Sequence, residues 1–323
     1  MKVINKSLRA AFVAVLTMLS ASMYAENEPV KYIDADGQEK YVTDYTVLTG
    51  DEETLTAGWY VVNQPTLKSR SGLGIDGDVH IVLCDKTIWS ISPEYDSYIP
   101  FESQSLNASL TFYAQSNGED AGRLLEDLQG NNYYFSGTHF FQINSLVING
   151  GFVEFVDKDH DYVACYVKDM TMNGGHLLLS NVERGISCHN LHLNGGELNI
   201  SASDIAVIVG QELSFGKSYC DFACQCSSFA YYGDGDIRLS DYMRVKFNDK
   251  EFMGSVPFDI TDTETITKIS SHYDEELAAL AIDDVDNSMD VSDAWFTLAG
   301  MRMMAKPTEK GVYIHNGHKV QIK

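Results

Sequence analysis

Basic residues are scarce in this chain: 23 Lys and Arg stand against 46 Asp and Glu, a formal charge of −23. A surface so poor in cations cannot neutralise a phosphate backbone, which argues against nucleic acid as a partner. It fits a solvated acidic exterior on an exported protein. Beyond residue 25 no apolar run is long enough to cross a bilayer as a helix. The six cysteines, at 84, 165, 188, 220, 224 and 226, include no Cys-x-x-Cys pair. Zinc is therefore disfavoured for the 220–226 group, and a local disulfide or free thiols is the expectation there. Cys84, inside "VHIVLC", reads as a small buried apolar residue. A Gly-x-Ser-x-Gly elbow is also missing, which removes the commonest sequence sign of a serine hydrolase.

The first 25 residues differ from the rest. Lys2, Lys6 and Arg9 form a basic stretch, "AAFVAVLTMLSASM" an apolar one, and Ala25 closes a signal-peptidase site. Loss of that leader, with its three cations, takes the charge from −23 to −26.

What is present is a repeat. "LVINGGFVEFV" (146–156) returns as "MTMNGGHLLLS" (170–180) and again as "LHLNGGELNIS" (191–201). Period-two alternation on both sides of each Asn-Gly-Gly predicts two short strands, each with one buried face. Leu146, Ile148, Met170, Met172, Leu191 and Leu193 are the predicted interior. Asn-Gly commonly closes a hairpin. Here the copies run in the same sense, with 24 and then 21 residues between triplets, which instead marks stacked parallel copies. Asn149, Asn173 and Asn194 are then expected to form an amide ladder at a corner. The alternative is that Asn occupies the position only because it tolerates a left-handed turn.

The expected fold is therefore all-β: a right-handed parallel β-helix over residues 71–255. An N-terminal β cap (26–70) follows the signal peptide (1–25). Within the core, "GEDAGRLLEDLQG" (118–130) reads as a short helix or loop with Leu124, Leu125 and Leu128 on one face. The Asp-, Glu-, Ser- and Thr-rich segment 256–294 reads as an acidic linker with one short helix around "DEELAALAI". Residues 295–323 read as a small hairpin unit, with Asn316-Gly317 as its turn.

Two resemblances follow from these residues. "YIDADGQEK", "TAGWYVV", "GDVHIVLCDKTIWSI" and "SLTFYAQSNGEDAGRL" resemble the opening of exported β-helix repeat proteins of Bacteroidetes-type bacteria, a group described as carbohydrate-binding. The resemblance covers about two-thirds of the chain and implies a secreted or cell-surface location and glycan contact. "WFTLAGMRMMAKPTEKGVYIHNGHKVQIK" is similar to the last part of type IX secretion sorting regions, and implies that the tail engages export machinery.

The chemistry is weighed against that background. Glycan hydrolysis needs carboxylates converging on one face. The outward column Phe152, His176, Glu197 offers one, as does Glu154, Leu178, Asn199. Non-catalytic glycan binding or adhesion is the reading, with a β-helix lyase or hydrolase and a purely structural surface protein as alternatives. The candidate ligand-binding residues are Tyr133 and Tyr134 in "NNYYFSGTHFF", the column Phe152, His176 and Glu197, and Tyr231 and Tyr232 in "YCDFACQCSSFAYYGDGD". Each aromatic group could equally be core packing. No cofactor is expected. Asp157, Asp159 and Asp161 in "VDKDHDYV" present alternate carboxylates that suit Ca2+, weighed against a solvated turn.

Overall fold

In a computed structural model the chain divides into two units, residues 1–274 and 275–323. The structure describes residues 27–69, 72–91, 99–126, 139–156, 163–224, 229–232, 237–254, 266–275, 278, 295–297, 302–303, 306–308, 310–315 and 318–322. The signal-peptide segment, most of the expected helix near 274–282, and Asn316-Gly317 lie outside them. The protein is all-β, and the described residues of 27–274 contain no helix.

The larger unit is a ladder of parallel strands. Along one side Thr54–Val62 pairs with Leu73–Leu83, which pairs with Ser109–Ala114, which pairs with His139–Ile148. Along the other, Thr66–Ser69, Ile88–Ile91, Arg123–Glu126 and Phe152–Val156 follow one another. Both sides meet the long strand Val163–Cys224. Leu146 lies opposite Met170 and Ile148 opposite Met172, while Val153 meets Leu177 and Phe155 meets Leu179. The two halves of a copy thus pair with the next copy, not with each other. All six residues expected inside are at most 1% exposed.

The Asn-Gly-Gly triplet makes this register possible. A Cβ on Gly174 would lie 2.6 Å from the Asn149 carbonyl oxygen, and one on Gly195 would lie 2.4 Å from that of Asn173. The first glycine therefore permits close approach of consecutive corners. The second, Gly151, Gly175 or Gly196, has φ of +84°, +71° or +81°, where a side chain is strained. The asparagines themselves are not in the left-handed region. They form the ladder: Asn173 Nδ2 donates to Asn149 Oδ1 (2.8 Å) and Asn194 Nδ2 to Asn173 Oδ1 (2.9 Å). Tyr113 hydrogen-bonds Asn149 at its start.

Three segments differ from the expectation. Arg123–Glu126 is a strand, not a helix or loop: Leu124 is fully buried while Leu125 is only half-buried, the alternation of a strand with one inner face. Leu128 lies outside the described residues. Parallel pairing already starts at Thr46–Val47 on Thr54–Val62, within the segment read as a cap. The hairpin Val30–Ile33 with Glu39–Val42 covers the outer face of those first strands, where Val42, Val61, Val82 and Cys84 are buried. Lys268–Tyr273, inside the segment read as linker, is a strand too. It pairs antiparallel with 220–223 and with Met243–Phe247 and so covers an edge that would otherwise present free backbone groups.

The smaller unit holds four antiparallel strands, in the order Arg302–Met303, Trp295–Thr297, Gly311–His315, His318–Ile322. Trp295 stacks on His315 with ring centres 4.3 Å apart. His315 lies opposite His318, as a two-residue hairpin connection requires.

Candidate functional site

Parallel register places side chains at matching positions above one another, so each outward column is a candidate surface. The column Phe152, His176, Glu197 is assembled as expected. Phe152 lies opposite His176, their rings 4.4 Å apart and 8° from parallel. His176 Nδ1 is 2.8 Å from Glu197 Oε2. The column extends one strand further than the sequence reading took it. Arg123 lies opposite Phe152, its guanidinium 4.0 Å from the ring centre, and Arg123 Nη1 donates to Glu154 Oε1 at 2.7 Å. The sequence reading missed Arg123 because no Asn-Gly-Gly marks its copy.

This arrangement closes the column on itself. One face of Phe152 meets Arg123 and the other meets His176, so neither is open to a sugar. Glu197 is held by His176 and also accepts from Asn199 Nδ2 at 3.0 Å. Glu154 is held by Arg123. Beside the column, a groove of about 590 Å3 runs along the Asn-Gly-Gly corner, lined by Asp36, Asn173, His176, Asn194, Glu197 and Tyr219 among others. The amide ladder stops at Asn194, because Gly216 sits where a fourth amide would stand, with its Cβ position 2.7 Å from the Asn194 Cα.

The other candidates scatter. Tyr231 packs against the core and its hydroxyl donates to the Gln211 carbonyl at 2.9 Å, so its ring is a packing element. Tyr232 is 70% exposed. Tyr133 and Tyr134 lie outside the described residues, as do Asp157, Asp159 and Asp161. Among the described residues no group of three or more His, Cys, Asp and Glu is placed to hold a metal ion.

A second groove, of about 430 Å3, was not singled out by the sequence. Its centre is Tyr166, which is 53% exposed. One side of the ring stacks on His139 with centroids 5.1 Å apart and planes 18° from parallel. His139 Nδ1 lies 3.2 Å from the Val163 carbonyl oxygen, and burial pulls the imidazole below its ordinary range, so it is a neutral ring at pH 7. Around Tyr166 the groove presents Gln142, Asn144, Lys168, Ser187 and His189 over a floor of Ile143, Val167 and Cys188. Burial pushes the Cys188 thiol up to about 12, with Asp169 adding to the shift, so it is an apolar floor residue and not a nucleophile. Counting from the triplets finds this site. Gln142, Tyr166 and Ser187 each lie seven residues before their Asn, and Asn144, Lys168 and His189 five before. Ser187 is too short to cover the ring face turned away from His139.

A hydrolytic constellation is not formed where the residue types invite one. Ser109 Oγ donates to Asp78, and His80 Nε2 lies 3.1 Å from the other Asp78 oxygen. The carboxylate sits between serine and imidazole, so the imidazole cannot take the serine proton. No protein-family model, curated protein or solved structure matches this chain.

Proposed function

We propose that this chain is an exported, non-catalytic glycan-binding protein acting at the cell surface or outside, built as a right-handed parallel β-helix. The helix reading rests on consecutive parallel registers that repeat every 21–24 residues through the Asn-Gly-Gly copies. The glycan reading rests on one observation. Tyr166 offers a ring backed by His139 on one side and open to a groove rimmed with amide, hydroxyl and amine groups on the other. A sugar ring stacked on such a face buries its apolar C–H surface against the aromatic ring, and the polar rim orients the hydroxyls.

A glycan array tests this. The full chain should bind a defined subset of glycans, and Tyr166→Ala should lose that binding with an unchanged melting temperature. Equal binding by the variant, or no binding to any glycan, overturns the reading. A structural role in the cell surface is the second reading, favoured by the closed Arg123–Phe152–His176–Glu197 column. Export is a further part of the proposal. The antiparallel unit at 295–323 resembles a sorting tail, so deleting it should leave the melting of the larger unit intact and trap the chain in the periplasm. Unchanged surface display would remove the tail from the export step.

A further inference from the structure

We infer that the Tyr166 groove takes an acidic sugar, a uronate-type ring whose carboxylate meets Lys168. This inference rests on the glycan-binding reading of the same groove and adds the class of ligand. It starts from charge. The chain has twice as many Asp and Glu as Lys and Arg. Anionic ligands are repelled by such a surface unless one place on it is locally free of carboxylates. The Tyr166 groove is that kind of place: none of its lining residues is Asp or Glu, whereas the corner groove carries Asp36 and Glu197. Its rim instead carries the exposed Lys168 ammonium and the His189 imidazole, both five residues ahead of a corner Asn and therefore on the same side as Asn144.

Two neighbouring carboxylates lie outside the lining: Glu102 is opposite Gln142, one strand further from Tyr166, and Asp169 is next to Lys168. Asp169 follows Lys168 but does not line the groove, and its Oδ1 accepts the Asn190 amide at 2.6 Å. Among the described residues Lys168 forms no ion pair, and its exposed ammonium is where the inference places the ligand carboxylate. Lys168 follows Tyr166 by two positions on one strand, so both point to the same face. That spacing, about 6.6 Å along the strand, matches a pyranose ring lying on Tyr166 with its C5 carboxylate directed at Lys168. Gln142 and Ser187, on the strands either side of Tyr166, then face the ring hydroxyls.

The test is titration calorimetry of the full chain with four uronate hexamers (galacturonate, glucuronate, mannuronate, guluronate), a methyl-esterified galacturonate hexamer, and a neutral glucose or xylose hexamer. At least one uronate hexamer should bind about ten-fold tighter than its ester or the neutral hexamers. Lys168→Gln should erase that difference, so that acidic and neutral hexamers bind alike, and Tyr166→Ala should remove binding of both. If neutral and acidic hexamers bind alike, or Lys168→Gln leaves the preference intact, the acidic class is overturned and glycan binding stands. If no hexamer binds and the glycan array is also blank, both readings fall. If the array binds only neutral glycans, the class alone falls. A melting curve for each variant confirms that it folds.

Discussion

Two outward columns of the same parallel ladder behave in opposite ways. In the Arg123, Phe152, His176, Glu197 column every member meets the next, by cation–π contact, ring stacking and ion pair. In the Gln142, Tyr166, Ser187 column the aromatic ring has a neighbour on one side only, and a groove opens on the other. The backbone geometry is shared. The difference lies in side-chain size at the following position: His176 is large enough to cover Phe152, and Ser187 cannot cover Tyr166. An aromatic residue in stacked parallel strands therefore becomes a recognition surface only where the stack is interrupted.

The strongest way to break the comparison is to remove what both columns stand on. Met172→Asp places an unpaired charge at a position 1% exposed and should abolish cooperative thermal unfolding of the larger unit, a loss above about 3 kcal/mol. Gly174→Ala should act at the corner alone. Its Cβ would push against the Asn149 carbonyl, so a loss of about 2 kcal/mol by denaturant melting is expected. A neutral effect there would mean the corner is looser than the 2.6 Å approach implies.

Phe152→Ala should cost about 1–2 kcal/mol, since it removes the partner of both Arg123 and His176 while the ring is only partly buried. Its glycan binding should equal that of the parent chain, because neither ring face is open. Tyr166→Ala should do the reverse: less than about 0.5 kcal/mol in stability and most of the binding. If the two variants exchanged these effects, the closed column would be the site. A last, small effect is chemical. Cys188 should resist alkylation in the native chain at pH 8, as should Cys84, whose thiol burial pushes to about 11. Mass-spectrometric mapping of modified thiols reads this directly, and prompt labelling of Cys188 would show a deeper groove than the structure has.

The sequence disclosed the first column and hid the second for one reason. Asn-Gly-Gly sets an address, and Phe152, His176 and Glu197 lie three residues past it, so their alignment could be counted. Tyr166 is equally countable, but its neighbours Gln142 and Ser187 are unlike it, and a search for aromatic clusters along the chain passes over a lone ring. Arg123 has no triplet, and the Leu124, Leu125, Leu128 spacing imitated a helical face. Lys268–Tyr273 was obscured by its acidic flanks and by Ser271, a polar residue at an inward position. Burial is tolerated there because Ser271 Oγ accepts the Cys220 N–H at 3.1 Å. Cys84, Cys165 and Cys188 are buried free thiols, a packing outcome that the spacing of cysteines alone does not disclose. The Asn ladder was legible in full, because the sequence repeats the one side chain that can both donate to and accept from a copy of itself.

The unequal chemistry of the closed column bears on how the chain assembles. Three copies that share the Asn-Gly-Gly corner and its flanking alternation invite mispairing, in which the third docks on the first and the second is looped out. The Asn-Gly-Gly corners would accept that error, since every amide and glycine finds an equivalent partner. The column would not: Glu197 would lie against the Phe152 ring and lose His176, and His176 would be left without a ring to cover. The order Arg, Phe, His, Glu thus works as a serial number written on the outside of parts that share one corner, so a skipped copy forfeits contacts that the corner alone would not miss.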